Sequence, residues 1–190
     1  VLIDTTKELP SLAFSQIVPV QAYSPDIFEL FYLARPDSIL DGISVQESRQ
    51  RMGLALADTI IQKLGPNLND QIDAVIPVPE TGYVSALALA SRLNVPLALG
   101  LVKNTYCHRS FIVPTAEGRL KAVRRKLNTV RREFVGKNVL IVDDSIVRGG
   151  TSREIIKMAR EAGAKKVIFA SSSPAIRYVT KFELLLICYY

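Results

Sequence analysis

Residues 139–152 read VLIVDDSIVRGGTS: four apolar residues, two adjacent acids, a hydroxyl, a pair of glycines and two further hydroxyls. A run in that order commits the chain to a strand that ends in charge and turns at once into a helix. Val139 to Val142 follows Asn138 as a short apolar stretch, as expected of a strand covered on both faces. Thr151-x-x-Glu154 predicts the cap of the helix that follows, which closes at Gly163. A phosphate monoester needs several donors converging on it. The segment from Ile146 to Ser152 offers backbone N–H groups freed by Gly149 and Gly150, the hydroxyls of Thr151 and Ser152, and a helix N-terminus, with Arg148 adding charge. Asp143 and Asp144 repel each other and any phosphate unless vicinal sugar hydroxyls or a hard cation offset them. A sugar phosphate with magnesium satisfies the whole set. A lone pair of acids or of glycines is usually a solvated strand end or a turn; the full succession argues against that reading here. No Gly-Lys-Ser/Thr ending marks a Walker loop, and no G-x-G-x-x-G is present.

The rest of the chain alternates strands and helices. Ser44-x-x-Glu47 offers a capping box, and Met52, Leu56, Ile60 and Leu64 then repeat on one face of a predicted helix. A buried strand over 73–78 ends in Pro-Val-Pro-Glu-Thr-Gly, and Val84, Leu87, Ala88 and Ser91 mark a second helix that stops near Asn94. A strand over 97–102, a basic stretch over 103–132 with little apolar periodicity, and a last strand over 167–170 follow. This order predicts an α/β fold with a mostly parallel sheet flanked by helices and right-handed crossovers, whose ligand sites lie beyond the carboxyl ends of the strands. Pro79-Glu80-Thr81-Gly82 and Asp143-Asp144-Ser145 both fall at such ends.

The 190 residues, 48% of them hydrophobic, suffice for one substantial domain. A net charge of +6 suits an acidic partner, and on charge alone a phosphate ester and a nucleic acid serve equally. Cys107 and Cys188 stand too far apart and too alone for a zinc or disulfide framework, which favours a reducing, cytoplasmic setting. No run approaches the roughly 20 apolar residues of a membrane span, and VLIDTTKELP is not a signal peptide. Residues 1–25 are broken by Pro10, Pro19 and Pro25 and are expected to be linker and strand pieces outside the main domain, which runs over 26–190.

VDDSIVRG from Val142 resembles the signature of the type I phosphoribosyltransferases. FYLARPDSILDGISV from Phe31, VIPVPETG from Val75, GLVKN from Gly100, VRRKLN from Val123 and MAREAGAKKV from Met158 resemble the branch that joins ammonia to the sugar. The resemblance implies that Asp143 and Asp144 contact the ribose hydroxyls of 5-phosphoribosyl 1-pyrophosphate, directly or through Mg2+, and that Ser145, Ile146, Val147, Arg148, Gly149, Gly150, Thr151 and Ser152 surround its 5-phosphate. By the same resemblance Pro79, Glu80, Thr81 and Gly82 lie beside the pyrophosphate. Residues 103–126 form a loop that closes over substrate, with Lys103, Arg109, Arg124, Arg125 and Lys126 toward phosphate oxygens. Composition alone leaves that basic stretch equally readable as solvated surface. The implied reaction forms 5-phosphoribosylamine and pyrophosphate from ammonia, released from glutamine by a separate N-terminal domain, and opens purine synthesis.

The same branch implies purine nucleotides as feedback inhibitors and a homo-oligomer, with neither nucleic acid nor membrane as partner. VLIDTTKELPSLAF resembles the end of the glutamine-cleaving domain, so the chain is expected to be the transferase half, with an altered or incomplete C-terminus at KFELLLICYY. Cys107-His108 replaces a Val-Gly pair of the family and Gly150 replaces a threonine. Asp26 stands where iron–sulfur members keep a cysteine, and two cysteines cannot supply four thiolates, so no cluster is expected. His108 is given no role. A regulator that binds the same ligand without turnover is the runner-up, and a transferase acting on a free base ranks below it.

Overall fold

The structure is a computed structural model and describes residues 2–4, 11–13, 19, 22–23, 25–65, 68–106, 123–147 and 149–174. Two short antiparallel pairs open the chain: β1 (Leu2–Asp4) with β2 (Ser11–Ala13), and β3 (Ile39–Leu40) with β4 (Ile43–Ser44). Between them a π-helical turn, Glu29–Leu33, buries Phe31. The first long helix, α1 (Val45–Leu64), starts as its capping residues predict, with the Glu47 amide donating to Ser44 Oγ at 3.3 Å. Its buried line differs from the predicted one. Val45, Arg49, Gly53, Ala57 and Ile60 face inward, whereas Met52, Leu56 and Leu64 are half-buried at the flank. Small residues cause the shift, because α1 packs closely on α3 (Gly82–Leu93) and a methyl group on Gly53 would run into the Ser85 carbonyl. The second helix likewise has its predicted extent and a different buried face. Ser85, Ala86, Leu89 and Leu93 are inside while Leu87 is 58% exposed, and Asn94 ends the helix in the left-handed conformation.

After a short helix, α2 (Leu68–Gln71), the fully buried strand β5 (Ala74–Pro77) enters the main sheet. The predicted strand over 97–102 divides in two. Leu97 makes a single parallel bridge to Val75, and β6 (Leu101–Lys103) turns away to pair antiparallel with β7 (Leu127–Thr129). Gly100 marks the bend, since a β-carbon there would lie 2.8 Å from Ile76 Cδ1 and 3.0 Å from the Phe134 ring. A 3-10 turn, Arg131–Glu133, then leads to β8 (Asn138–Asp143), α4 (Gly150–Glu161) and β9 (Lys166–Ser171).

The main sheet is parallel, in the order β5-β8-β9. Val139 to Val142 is entirely buried, as expected of a central parallel strand. Its alternating side chains feed two apolar clusters, one with α1 and α3 around Leu140 and Val142, the other with α4 and Phe134 around Val139 and Ile141. No helix among the described residues is long and apolar enough to cross a membrane.

Candidate functional site

The centre of the site is the carboxyl end of β8. Its backbone is held from both sides: the Val78 amide donates to the Val142 carbonyl at 2.8 Å, and the Ser172 and Ser173 amides donate to the carbonyls of Asp143 and Asp144 at 3.0 and 2.9 Å. Both acids are consequently buried, with 8% and 6% exposure. Asp143 Oδ1 accepts from the Asp144 amide at 2.9 Å. Asp144 accepts from Ser145 Oγ at 2.6 Å and, on its other oxygen, from Thr81 Oγ1. Burial, with Asp144 as second cause, pushes the Asp143 carboxyl up to about 7. Burial also raises Asp144, against the opposing hydrogen bonds from Ser145 and Thr81 and the charge of Arg49. Two carboxylates held this way favour a cation or hydroxyl donor between them.

The turn over 79–82 reaches β8 from the β5 side. Gly82 is required there, because a β-carbon would lie 2.8 Å from the Val142 carbonyl oxygen. The Pro79–Glu80 peptide is cis. Glu80 accepts from Lys103 Nζ at 2.8 Å, which brings the start of the basic stretch to the turn.

Beyond Asp144, Ser145 is half-buried while Ile146 and Val147 are 45% and 47% exposed. The helix begins two residues earlier than predicted. Gly149, at φ 70°, is the residue before α4, and Gly150 is its first. Thr151 is therefore within the first turn rather than at the cap. Ser152 Oγ donates to the Gly149 carbonyl at 3.1 Å, and Glu154 turns to Arg124. The predicted capping box is thus replaced by a glycine start and an ion pair, because a guanidinium attracts Glu154 more strongly than a backbone amide does. The first-turn amides of Gly150, Thr151 and Ser152 are the donors that any helix start leaves without intrahelical partners.

Arg124, expected toward phosphate oxygens, pairs with Glu154 and, at 3.0 Å, with both oxygens of Glu161, on the side of α4. Glu161 first and Glu154 second raise its pKa. The neighbouring backbone closes the base of the basic stretch: the Asn104 amide donates to the Lys126 carbonyl at 2.7 Å, and Asn104 Nδ2 to the Arg125 carbonyl at 3.3 Å. The side chains of Arg125 and Lys126 lie on the exposed part of that base. Arg109 and Arg148, together with Cys107, His108 and residues 175–190, lie outside the described residues.

Arg49, which the sequence did not single out, is buried at 3% exposure. Its Nε and one terminal nitrogen donate to the carbonyls of Leu30 at 3.0 Å and Ala34 at 2.9 Å. An arginine on a helix usually reads as solvated, and only its place on the line of Val45, Gly53 and Ala57 marks it as inward.

The chain is similar to known proteins over most of its length. The phosphoribosyl transferase domain family matches residues 47–174. Amidophosphoribosyltransferase of Saccharomyces cerevisiae is 56% identical over 165 residues, 87% of this chain and 32% of that protein. The protein of the same name from Pseudomonas aeruginosa is 55% identical over 163 residues, 86% of this chain and 32% of that protein. Among solved structures, the glutamine phosphoribosylpyrophosphate amidotransferase from B. subtilis, complexed with ADP and GMP, superposes with a TM-score of 0.66 at 42% identity, covering 80% of this chain and 31% of that one. The chain thus spans about a third of the length of the curated relatives it matches.

Proposed function

Because this chain belongs to the phosphoribosyl transferase domain family, we propose that it carries the sugar-transfer site of an amidophosphoribosyltransferase, converting 5-phosphoribosyl 1-pyrophosphate and ammonia into 5-phosphoribosylamine and pyrophosphate. The observation that carries this reading is the buried Asp143–Asp144 pair standing directly before a glycine-started helix. One end of that arrangement suits sugar hydroxyls and the other suits a phosphate, at the separation the ends of one short loop provide.

In this reading Asp143 and Asp144 accept from the ribose hydroxyls, and the loop from Ser145 through Ser152 surrounds the 5-phosphate with amides and hydroxyls. The turn at Pro79, Glu80, Thr81 and Gly82 and the cation of Lys103 flank the pyrophosphate, and Arg109, Arg125 and Lys126 add positive charge. The bond between the anomeric carbon and the pyrophosphate oxygen breaks as ammonia forms the new C–N bond, and the incoming nitrogen gives up one proton. Positive charge develops on the sugar and negative charge on the leaving group, so the protein contributes mainly electrostatics and the exclusion of water. No side-chain nucleophile is needed.

The residues fit a magnesium ion. Among the described residues no three His, Cys, Asp or Glu side chains gather as a cage, and Mg2+ is usually held by one or two carboxylates plus substrate oxygens. Asp143 and Asp144 would supply the protein ligands, and the bound ion would offset charge on the departing pyrophosphate. The relatives' names extend the reading to glutamine as the ammonia source. The complex of the B. subtilis protein with ADP and GMP makes purine nucleotides the candidate inhibitors.

The test is pyrophosphate release by this chain supplied with Mg2+, ammonium and the sugar pyrophosphate. Turnover that disappears in the Asp143→Asn, Asp144→Asn double variant supports the reading. Tight binding of the sugar pyrophosphate with no product would replace it by a ligand-sensing regulator.

A further inference from the structure

We propose that Thr81 is a positioning residue for the sugar rather than a contact for the pyrophosphate: its hydroxyl holds the Asp144 carboxylate in the orientation that receives the ribose hydroxyls. The proposal rests on the reading that Asp143 and Asp144 hold the sugar.

A hydroxyl has one hydrogen to donate. In Thr81 that hydrogen goes to Asp144 Oδ2, from the turn before α3 to the end of β8. Pyrophosphate oxygens are acceptors, so the hydroxyl has nothing left to give them, and whatever the turn offers that group comes from its other atoms. The carboxylate, in contrast, needs the bond. An aspartate without fixed partners turns broadly about its last torsion. Ser145 Oγ donates to the other Asp144 oxygen at 2.6 Å, and one hydroxyl on each oxygen fixes the plane of the group. Each oxygen keeps a second lone pair, which is what a sugar hydroxyl or a cation requires.

The two donors differ in what they are anchored to. Ser145 follows Asp144 directly and moves with it, whereas Thr81 belongs to the turn between β5 and α3. That turn is fixed against the end of β8. The Val78 amide donates to the Val142 carbonyl at 2.8 Å and the Gly82 amide to the Val78 carbonyl at 3.1 Å, and the missing β-carbon of Gly82 admits the turn beside the Val142 carbonyl. The Thr81 hydroxyl therefore sets Asp144 relative to the sheet, where Ser145 sets it only relative to its own loop. A carboxylate oriented before the sugar arrives spends less of the binding energy on being ordered.

Two probes titrated into this chain separate the roles. In the proposed site inorganic phosphate engages only the loop from Ser145 through Ser152, while ribose 5-phosphate adds the sugar and carries no pyrophosphate. Thr81→Val keeps the shape of the side chain and discards the hydroxyl. By calorimetry it should bind ribose 5-phosphate about tenfold more weakly than the parent, and inorganic phosphate equally well. Thr81→Ser restores the hydroxyl and should return ribose 5-phosphate binding to within about threefold of the parent. Parental binding of ribose 5-phosphate by Thr81→Val overturns the proposal. So does an equal loss in Thr81→Val and Thr81→Ser, or a loss of both probes together, which marks a distorted fold. Should Thr81→Val not fold, Thr81→Ala decides on the same two probes. A parent chain that binds ribose 5-phosphate no better than inorganic phosphate would instead sink the functional reading, so the two failures are distinguishable.

Discussion

Asp143 is held in a position that suits a ligand and strains the unliganded fold. Its carboxyl is driven up to about 7 by burial and by the neighbouring acid, so Asp143→Asn, which deletes one of two mutually repelling groups, should raise the melting temperature of the metal-free chain while turnover is lost. Calorimetry beside a pyrophosphate-release assay checks both halves. The opposite outcome is expected at Gly53. A methyl group there meets the Ser85 backbone rather than a yielding side chain, and Gly53→Ala should cost about 2 kcal/mol or more, read from denaturant unfolding. At this scale the acids and the glycines after them were legible because their chemistry is written consecutively in the chain. Arg49 was not, since its burial depends on Leu30, Ala34 and Ser85, which are scattered in sequence and meet only in the fold.

Helix α4 serves two neighbours at once. Its first turn faces the loop after Asp144, and its flank carries Glu154 and Glu161, which hold Arg124 beside the β6–β7 hairpin. Arg124→Ala leaves the buried Glu154 without its partner and should destabilise the fold, with faster amide exchange at Leu127 to Thr129 as the local signature. Gly149 sets the start of this helix at φ 70°, and Gly149→Ala should cost on the order of 1 kcal/mol and, on the proposed function, weaken binding of the 5-phosphate. Element boundaries were largely readable from apolar periodicity and caps. Buried faces were not, because at Gly53, Ala57, Ser85 and Ala86 the inward residues are small and the larger Met52, Leu56 and Leu87 sit to the side. The false capping box at Thr151 shows the same limit: a local pattern was overridden by an arginine 30 residues away.

Across the whole molecule, pH should act through the carboxylate pair. In the unfolded chain Asp143 ionises around its ordinary value of 3.8, and in the folded chain only near 7. The folded state therefore binds the extra proton in that window, and the metal-free chain should lose stability as pH rises through it, then level off. Melting curves in chelator between pH 5 and 8 test this, and the Asp143→Asn, Asp144→Asn variant should flatten the slope. The parallel sheet itself was legible from alternating strands and helices, whereas the departure of residues 101–103 into a hairpin was not, because the crowding of Gly100 against Ile76 and Phe134 is a property of the assembled core. The strand that ends in Asp143 has a hydrogen-bonded neighbour along each edge. Such a strand opens last when a protein breathes. Its amides should be among the slowest to exchange with deuterium, and on gradual heating any binding of the proposed sugar pyrophosphate should fail together with the fold, with no earlier, separate loss.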